Sequence, residues 1–408
     1  MSNSEQNTIM TFDRAFETVI SSACRLGSER VALAQALGRI LAEDVVSDID
    51  MPPFNKSAMD GFACRRADLA EALAVIETIQ AGYFPKNKIG PGRCAKIMTG
   101  AVVPEGADCV IMKEYVEQPA ENVIRFVGEN TRDNICIKGE DVKQGDIVLK
   151  AGCKVGPQHI AVMASVGCAE PLVSVQPAVG IIATGDELVE PSQKPAAGQI
   201  RNSNAYQLAA QVSGAAAVPT NYGTAADTKE ATGAIVTKAS AENDCLLLSG
   251  GVSVGEYDIV KDVLKENGFE LLFEKVAVKP GRPMTFGIKR ITSHESRVTR
   301  YVFGLPGNPV STFVMFELLV KPFLYKMMGH DFTPAVSYVP LAKTITRKKT
   351  ERESWLPVVF NKDGRVGKIE YHGSAHINAL CRADGLICIA SGVAEVKEGT
   401  YVAVRQIQ

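Results

Sequence analysis

Apolar positions recur at helical spacing near the start of the chain and at strand spacing soon after. "TFDRAFETVISSA" places Phe12, Phe16, Val19 and Ile20 on one face and predicts an amphipathic helix. "VALAQALGRILAEDV" repeats that period and predicts a second. "DIDMPPFNKSAMDGFA" then breaks it with two prolines, so residues 49–62 read as an extended loop of functional character. From about 70 to 150, short β-like runs alternate with turns ("RCAKIMTGAVVPEGADCVIM", "NVIRFVG", "GDIVLKAG"), as in a compact β domain. "GPQHIAVMASVG" predicts a helix with a glycine stop.

Residues 178–328 alternate buried strands ("AVGIIATGDEL", "CLLLSGG", "YVFGLPGNP") with helices ("SNAYQLAAQVSG", "TKEATGAIVTKAS", "DIVKDVLKENG"). That alternation predicts a mostly parallel sheet covered on both faces, a three-layer α/β domain. Residues 335–408 return to short strands and turns, as in a small β barrel or sandwich. The expected architecture is therefore multidomain α/β plus β. It comprises a helical linking domain (1–50 with 150–177), a β-rich inserted domain (51–149), a central α/β domain (178–330) and a C-terminal small β barrel (335–408).

Composition narrows the function classes. Among 408 residues the formal net charge is −2, which gives no general electrostatic case for nucleic acid or a membrane surface. The ten cysteines are scattered, without a C-x-x-C, and Cys245 in "DCLLLS" reads as a small buried hydrophobe. The polar N-terminus lacks the features of a signal peptide, and "VSTFVMFELLVKPFLYKMM" is broken by Glu317, Lys321 and Pro322. A cytoplasmic protein is expected.

The strand ends of the α/β segment carry the candidate chemistry. "ATGDELVE" supplies Glu187, "GTAADT" supplies Asp227, and "LSGGVSVGEYD" supplies free amides at Gly250 and Gly251 followed by Asp258. "VKPGRP" supplies Lys279 and Arg282; in "GLPGNPVS", Asn308 is expected to cap a helix opened by Pro309. Ligands of such sheets bind at strand C-termini. Acids beside bases there suit a polyanion held with a hard divalent cation.

Gly251-Val-Ser253-Val-Gly255 also matches the G-x-S-x-G of a hydrolase nucleophile turn. No H-G-G-type oxyanion segment precedes it, and Gly255-Glu256 separates it from the next helix. It fits neither a Walker A loop nor a dinucleotide fingerprint. A phosphate cradle is the stronger reading. His372 and His376 are four apart, with Gly373 and Ser374 between them, which argues against a helical zinc pair.

"NKSAMDGFA", "IMTGAVVPEGAD", "KGEDV", "TGDEL", "LSGGVSVGEYD", "VKPGRPMTFG", "GLPGNPVS" and "HGSAHI" occur together and in order, and this set resembles the molybdopterin molybdenumtransferase family (MoeA and the E domain of gephyrin). The resemblance covers essentially the whole chain. It implies the last step of molybdenum cofactor synthesis, in which adenylylated molybdopterin and molybdate are bound with Mg2+, molybdenum enters the dithiolene and AMP is released. It also implies a homodimer whose site is shared between subunits, and possible contact with the upstream adenylyltransferase. Asp60 and Thr99 would face the site from the partner subunit. Glu187 and Asp258 would serve Mg2+, with Asp227 nearby, while Lys279 and Arg282 would grip molybdate or phosphate. Gly250, Gly251, Ser253, Pro306, Asn308, Pro309 and Ser374 would complete the substrate pocket. Two positions depart from the family pattern: Cys136-Ile137-Lys138 stands where arginines are frequent, and Arg282 replaces a lysine. The same fold would allow a non-catalytic scaffold of the gephyrin type, or a molybdopterin adenylyltransferase or pyrophosphatase sharing the α/β domain.

Overall fold

The computed structural model describes residues 9–251, 259–292, 297–370 and 372–407. The chain forms two compact units, one of residues 30–37 and 43–171, the other of 1–29, 38–42 and 172–408.

The smaller unit is built on a six-stranded sheet. Its strands are β1 (Gly61–Cys64), β2 (Ala72–Ile79), β3 (Arg93–Ile97), β4 (Cys109–Met112), β5 (Val116–Ala120) and β6 (Val123–Phe126), ordered β4-β1-β3-β2-β6-β5. Only β2 and β3 pair in parallel. Successive side chains point to opposite faces, and both faces are covered. Ala63, Ala95, Ile97 and Val110 fill one core, and Cys64, Cys94, Cys109 and Ile111 fill the other. Double burial explains why the strands read as apolar runs. The three cysteines lie side by side across β3, β1 and β4 and behave as the small hydrophobes expected. The 49–62 segment is laced down: Met51 bridges Val142, Ser57 N–H donates to the Ala101 carbonyl, and Lys56–Ser57 pairs with Ile135–Cys136.

The larger unit holds β7 (Ala178–Thr184), α1 (Asn204–Gly214), β8 (Val218–Ala225), α2 (Lys229–Glu242), β9 (Cys245–Ser249), α3 (Ile259–Glu266), β10 (Glu270–Lys275), β11 (Pro283–Thr292), β12 (Arg297–Leu305) and α4 (Pro309–Met315). The sheet runs β8-β7-β9-β12-β11-β10. Its first four strands are parallel, and β11 and β10 close the edge antiparallel. Leu208 and Val212 of α1 pack with Ile181, Leu247 and Phe303 on one face. Val236 of α2 and Val260 and Leu264 of α3 pack with Ile182, Leu248 and Val302 on the other. The three layers expected are present. After α4 the helix passes through a π turn, Phe316–Val320, into Lys321–Met327. Glu317 is buried there, satisfied by Lys321 Nζ at 2.9 Å and Gln211 Nε2 at 3.0 Å.

The C-terminal segment adds β13 (Val336–Pro340), β14 (Glu353–Phe360), β15 (Gly385–Ile389) and β16 (Tyr401–Gln406) around Leu341, Val358, Ile387 and Val404. Val278–Lys279 joins this sheet as its edge, parallel to β14. The N-terminal helix, Phe12–Ser22, buries Ala15 and Val19 against the α/β core.

Two expectations fail. No second amphipathic helix follows, because "VALAQALGRILAEDV" forms only a 3-10 turn at Leu33–Gln35, and Gly38 then takes φ 78°. Beyond it the chain is extended, with Leu41 bridging Val173, so backbone pairing overrides the helical period. Asn308 occupies the cap position, but its side chain makes no capping bond. The Thr312 hydroxyl instead ties the Asn308 and Pro306 carbonyls.

Candidate active site

Strand register brings the candidate loops together. Ala225 lies beside Thr184, Ala183 beside Ser249, and Ser249 beside Leu305, so the parallel strands end at one rim. Parallel strands share a direction, and every loop leaving a C-terminal end opens on the same edge. The loops after β7, β8, β9 and β12 therefore converge.

Gly250 and Gly251 have φ of 93° and 62°, which favours glycine. A Cβ on Gly250 would lie 2.6 Å from the Thr184 carbonyl, and one on Gly251 2.8 Å from the Thr184 hydroxyl. The glycine pair thus lets two strand ends close on each other, and the Thr184 hydroxyl is buried there without a partner among the described residues. Asn204, at the start of α1, fixes the same corner by donating its amide to Ser249 Oγ at 2.7 Å and the Gly307 carbonyl at 2.8 Å.

Two adjoining clefts result. One of about 340 Å³ is walled by Leu188, Ile200, Asn204, Asn308, Pro309 and Ile377. The other, about 570 Å³, is lined by Glu187, Asp227, Gly250, Gly251, Pro306 and Asn308. Asp227 is held by exchange with Asp186: its N–H donates to Asp186 Oδ1 at 3.1 Å, and Asp186 N–H donates to Asp227 Oδ2 at 3.4 Å. Glu187 folds back over Gly185, where a Cβ would stand 2.5 Å from Oε2. Carboxylates from two loops in one cleft are hard oxygen donors and fit Mg2+, which takes few protein ligands and fills its shell with water and phosphate oxygens. No cluster of three or more candidate ligands occurs among the described residues. Ser253 and Asp258 lie outside those residues.

Lys279 is not in these clefts. It lines a third, of about 490 Å³, with Arg347, Lys348, Lys349, Lys368 and Gly373. Pairing of Val278–Lys279 with β14 puts it there. Four of these five cations went unassigned in the sequence, although the "RKK" run was a visible signal. Arg282 is exposed and lines none of the three clefts. The Ser374 carbonyl accepts the Val310 N–H at 2.9 Å, which joins the tail to the start of α4. Asn204 and Ile200 were likewise missed, since the residues around them read as ordinary helix entry.

In the smaller unit Asp60 and Thr99 meet directly. Asp60 Oδ1 accepts both the backbone N–H and the hydroxyl of Thr99, each at 2.8 Å. Those two bonds, with Lys113 nearby, hold the Asp60 carboxyl below its usual range.

Residues 10–167 match the family described as the MoeA N-terminal region (domain I and II). Residues 180–326 match a probable molybdopterin binding domain, and residues 338–407 the MoeA C-terminal region (domain IV). The molybdopterin molybdenumtransferase of Bacillus subtilis is 34% identical, over 99% of this chain and 95% of that protein. Its namesake in Staphylococcus epidermidis is 34% identical over 98% and 96%. The solved molybdopterin biosynthesis moeA protein of Pyrococcus horikoshii OT3 superimposes with a TM-score of 0.84 at 30% identity, covering 98% of this chain and 100% of that one. With sequence and fold matched over nearly the whole of both chains, the chain belongs to the molybdopterin molybdenumtransferase family.

Proposed function

We propose that this protein is the enzyme that inserts molybdenum into adenylylated molybdopterin and releases AMP, the last step of molybdenum cofactor biosynthesis. The observation that carries the reading is the division of charge in the larger unit. Carboxylates and glycine amides line the cleft at the strand ends, and a separate cavity collects Lys279 and four cations of the tail. A reaction joining a phosphoanhydride substrate to a tetrahedral oxyanion needs both. A protein serving only as a scaffold has no use for either.

Glu187 and Asp227, with Asp258, hold Mg2+ in this reading, and the bound ion supplies charge neutralisation at the phosphates. Gly250 and Gly251 bring backbone close to the phosphoryl oxygens, while Pro306, Asn308 and Pro309 shape the adjoining clefts. Lys279 with Lys348, Lys349 and Lys368 draws in molybdate, with Ser374 next to the cavity's Gly373 and Arg282 at the exposed approach, while the Arg347 guanidinium is tied to tail carbonyls. Asp60 and Thr99 serve the site from the second subunit of a homodimer. The reaction takes place in the cytoplasm, with substrate received from the upstream adenylyltransferase.

The test is incubation of purified protein with adenylylated molybdopterin, Mg2+ and molybdate, following AMP release and reconstitution of an apo-molybdoenzyme. Glu187→Gln is expected to slow AMP release by about 100-fold, the scale on which one electrostatic contact to a reacting group acts. Equal rates for wild type and variant would remove the metal assignment, and no molybdate-dependent AMP from wild type would remove the function.

A further inference from the structure

We infer that Lys113, rather than Asp60, is the side chain through which the smaller unit holds substrate, and that Asp60 is a positioning residue. The inference rests on the molybdenum-insertion reading above and assigns Lys113 to a phosphoryl oxyanion of adenylylated molybdopterin.

The geometry around Asp60 leaves it little freedom to act as a base. One carboxylate oxygen is engaged twice by Thr99, and the other stands 3.7 Å from Lys113 Nζ. The Lys113 N–H also donates to the Asp60 carbonyl at 3.3 Å. A carboxylate whose oxygens already face donors is stabilised as the anion and resists taking up a proton. Its effect is to fix the turn after Met98 against the start of β1 and to aim the lysine.

These groups border a cavity of about 310 Å³ in the smaller unit. Phe62, Val116 and Ile124 provide apolar wall, and Lys96 stands opposite Phe62 in the β1–β3 register. Two lysines and one aspartate line it, so the cavity carries a net positive charge when all three are ionised. Lys113 is the more suitable contact, because its side chain is 60% exposed and its distance from Asp60 allows a second anion to share it. A mobile ammonium on a long stem binds phosphate as a point charge and needs no fixed fork.

Steady-state kinetics of the full-length enzyme, with AMP as the readout, tests this. Lys113→Ala should raise the KM for adenylylated molybdopterin about tenfold, leave the KM for molybdate unchanged, and be largely rescued by Lys113→Arg. Asp60→Asn should raise the same KM and leave the pH dependence of kcat as in wild type. A fall in kcat of about 100-fold in Asp60→Asn, with KM unchanged, would make Asp60 a general base and overturn the proposal. So would an unaltered substrate KM in Lys113→Ala, or a rise confined to the molybdate KM. Calorimetric titration with pyrophosphate needs no turnover: weaker binding by Lys113→Ala than by wild type supports the assignment even if AMP release fails, and equal binding overturns it. Melting curves of each variant confirm folding.

Discussion

Gly61 opens the strand that follows Asp60, and a Cβ there would fall 1.9 Å from the Ile111 carbonyl oxygen. The clash is with the backbone of the adjacent strand, which no rotamer change relieves. Gly61→Ala should cost about 3 kcal/mol, at the upper end for overpacking, measured as a fall in the urea midpoint. Asp50 makes a prediction of a different kind. The Gln144 N–H and Lys138 hold its carboxyl below 3.8. The unfolded chain therefore binds that proton first, so the stabilisation is complete above the ordinary carboxylate range and is lost as the pH falls below 3.8. Asp50→Asn should flatten the acid limb of a stability-against-pH curve. Glu353 has the opposite sign: burial and the nearby Asp13 raise its carboxyl, and its ionised form opposes folding at neutral pH.

Among the elements, α2 starts at a conventional cap, Thr228, whose hydroxyl accepts the Ala231 N–H at 3.2 Å. Thr228→Ala should lower stability by about 1 kcal/mol in chemical denaturation. Caps and breakers of this kind made most of the α/β unit legible. Buried runs such as "CLLLSGG" ended at glycines, and "GLPGNP" marked both a strand end and a helix start. Legibility failed at Gly38, because a helical period over residues 31–45 is compatible with a chain that pairs its backbone elsewhere. It failed again at Asn308, where sequence gives the residue at the cap but not the direction of its side chain. Within the site, Glu187, Asp227, Gly250, Pro306 and Asn308 could be grouped because each follows a strand end. The tail lysines could not, since their place depends on a two-residue strand too short to announce itself.

At the scale of the molecule, the shared-site reading makes a sharp prediction. Asp60→Ala subunits, with a raised substrate KM, and Glu187→Gln subunits, slow in AMP release, should recover wild-type kinetics at one site when co-expressed and purified as mixed dimers. One of the two sites in such a dimer would receive both native residues. No recovery in verified mixed dimers would place Asp60 and Glu187 in the service of one subunit's own site.

The pairing of Val278–Lys279 with β14 has a mechanical consequence. One lysine is at once a rung of the C-terminal sheet and a wall of the cationic cavity. The tail is therefore a latch whose engagement sets the cavity's shape. Any displacement of it would disperse the positive charges of that cavity before a single residue of the α/β core had to unfold.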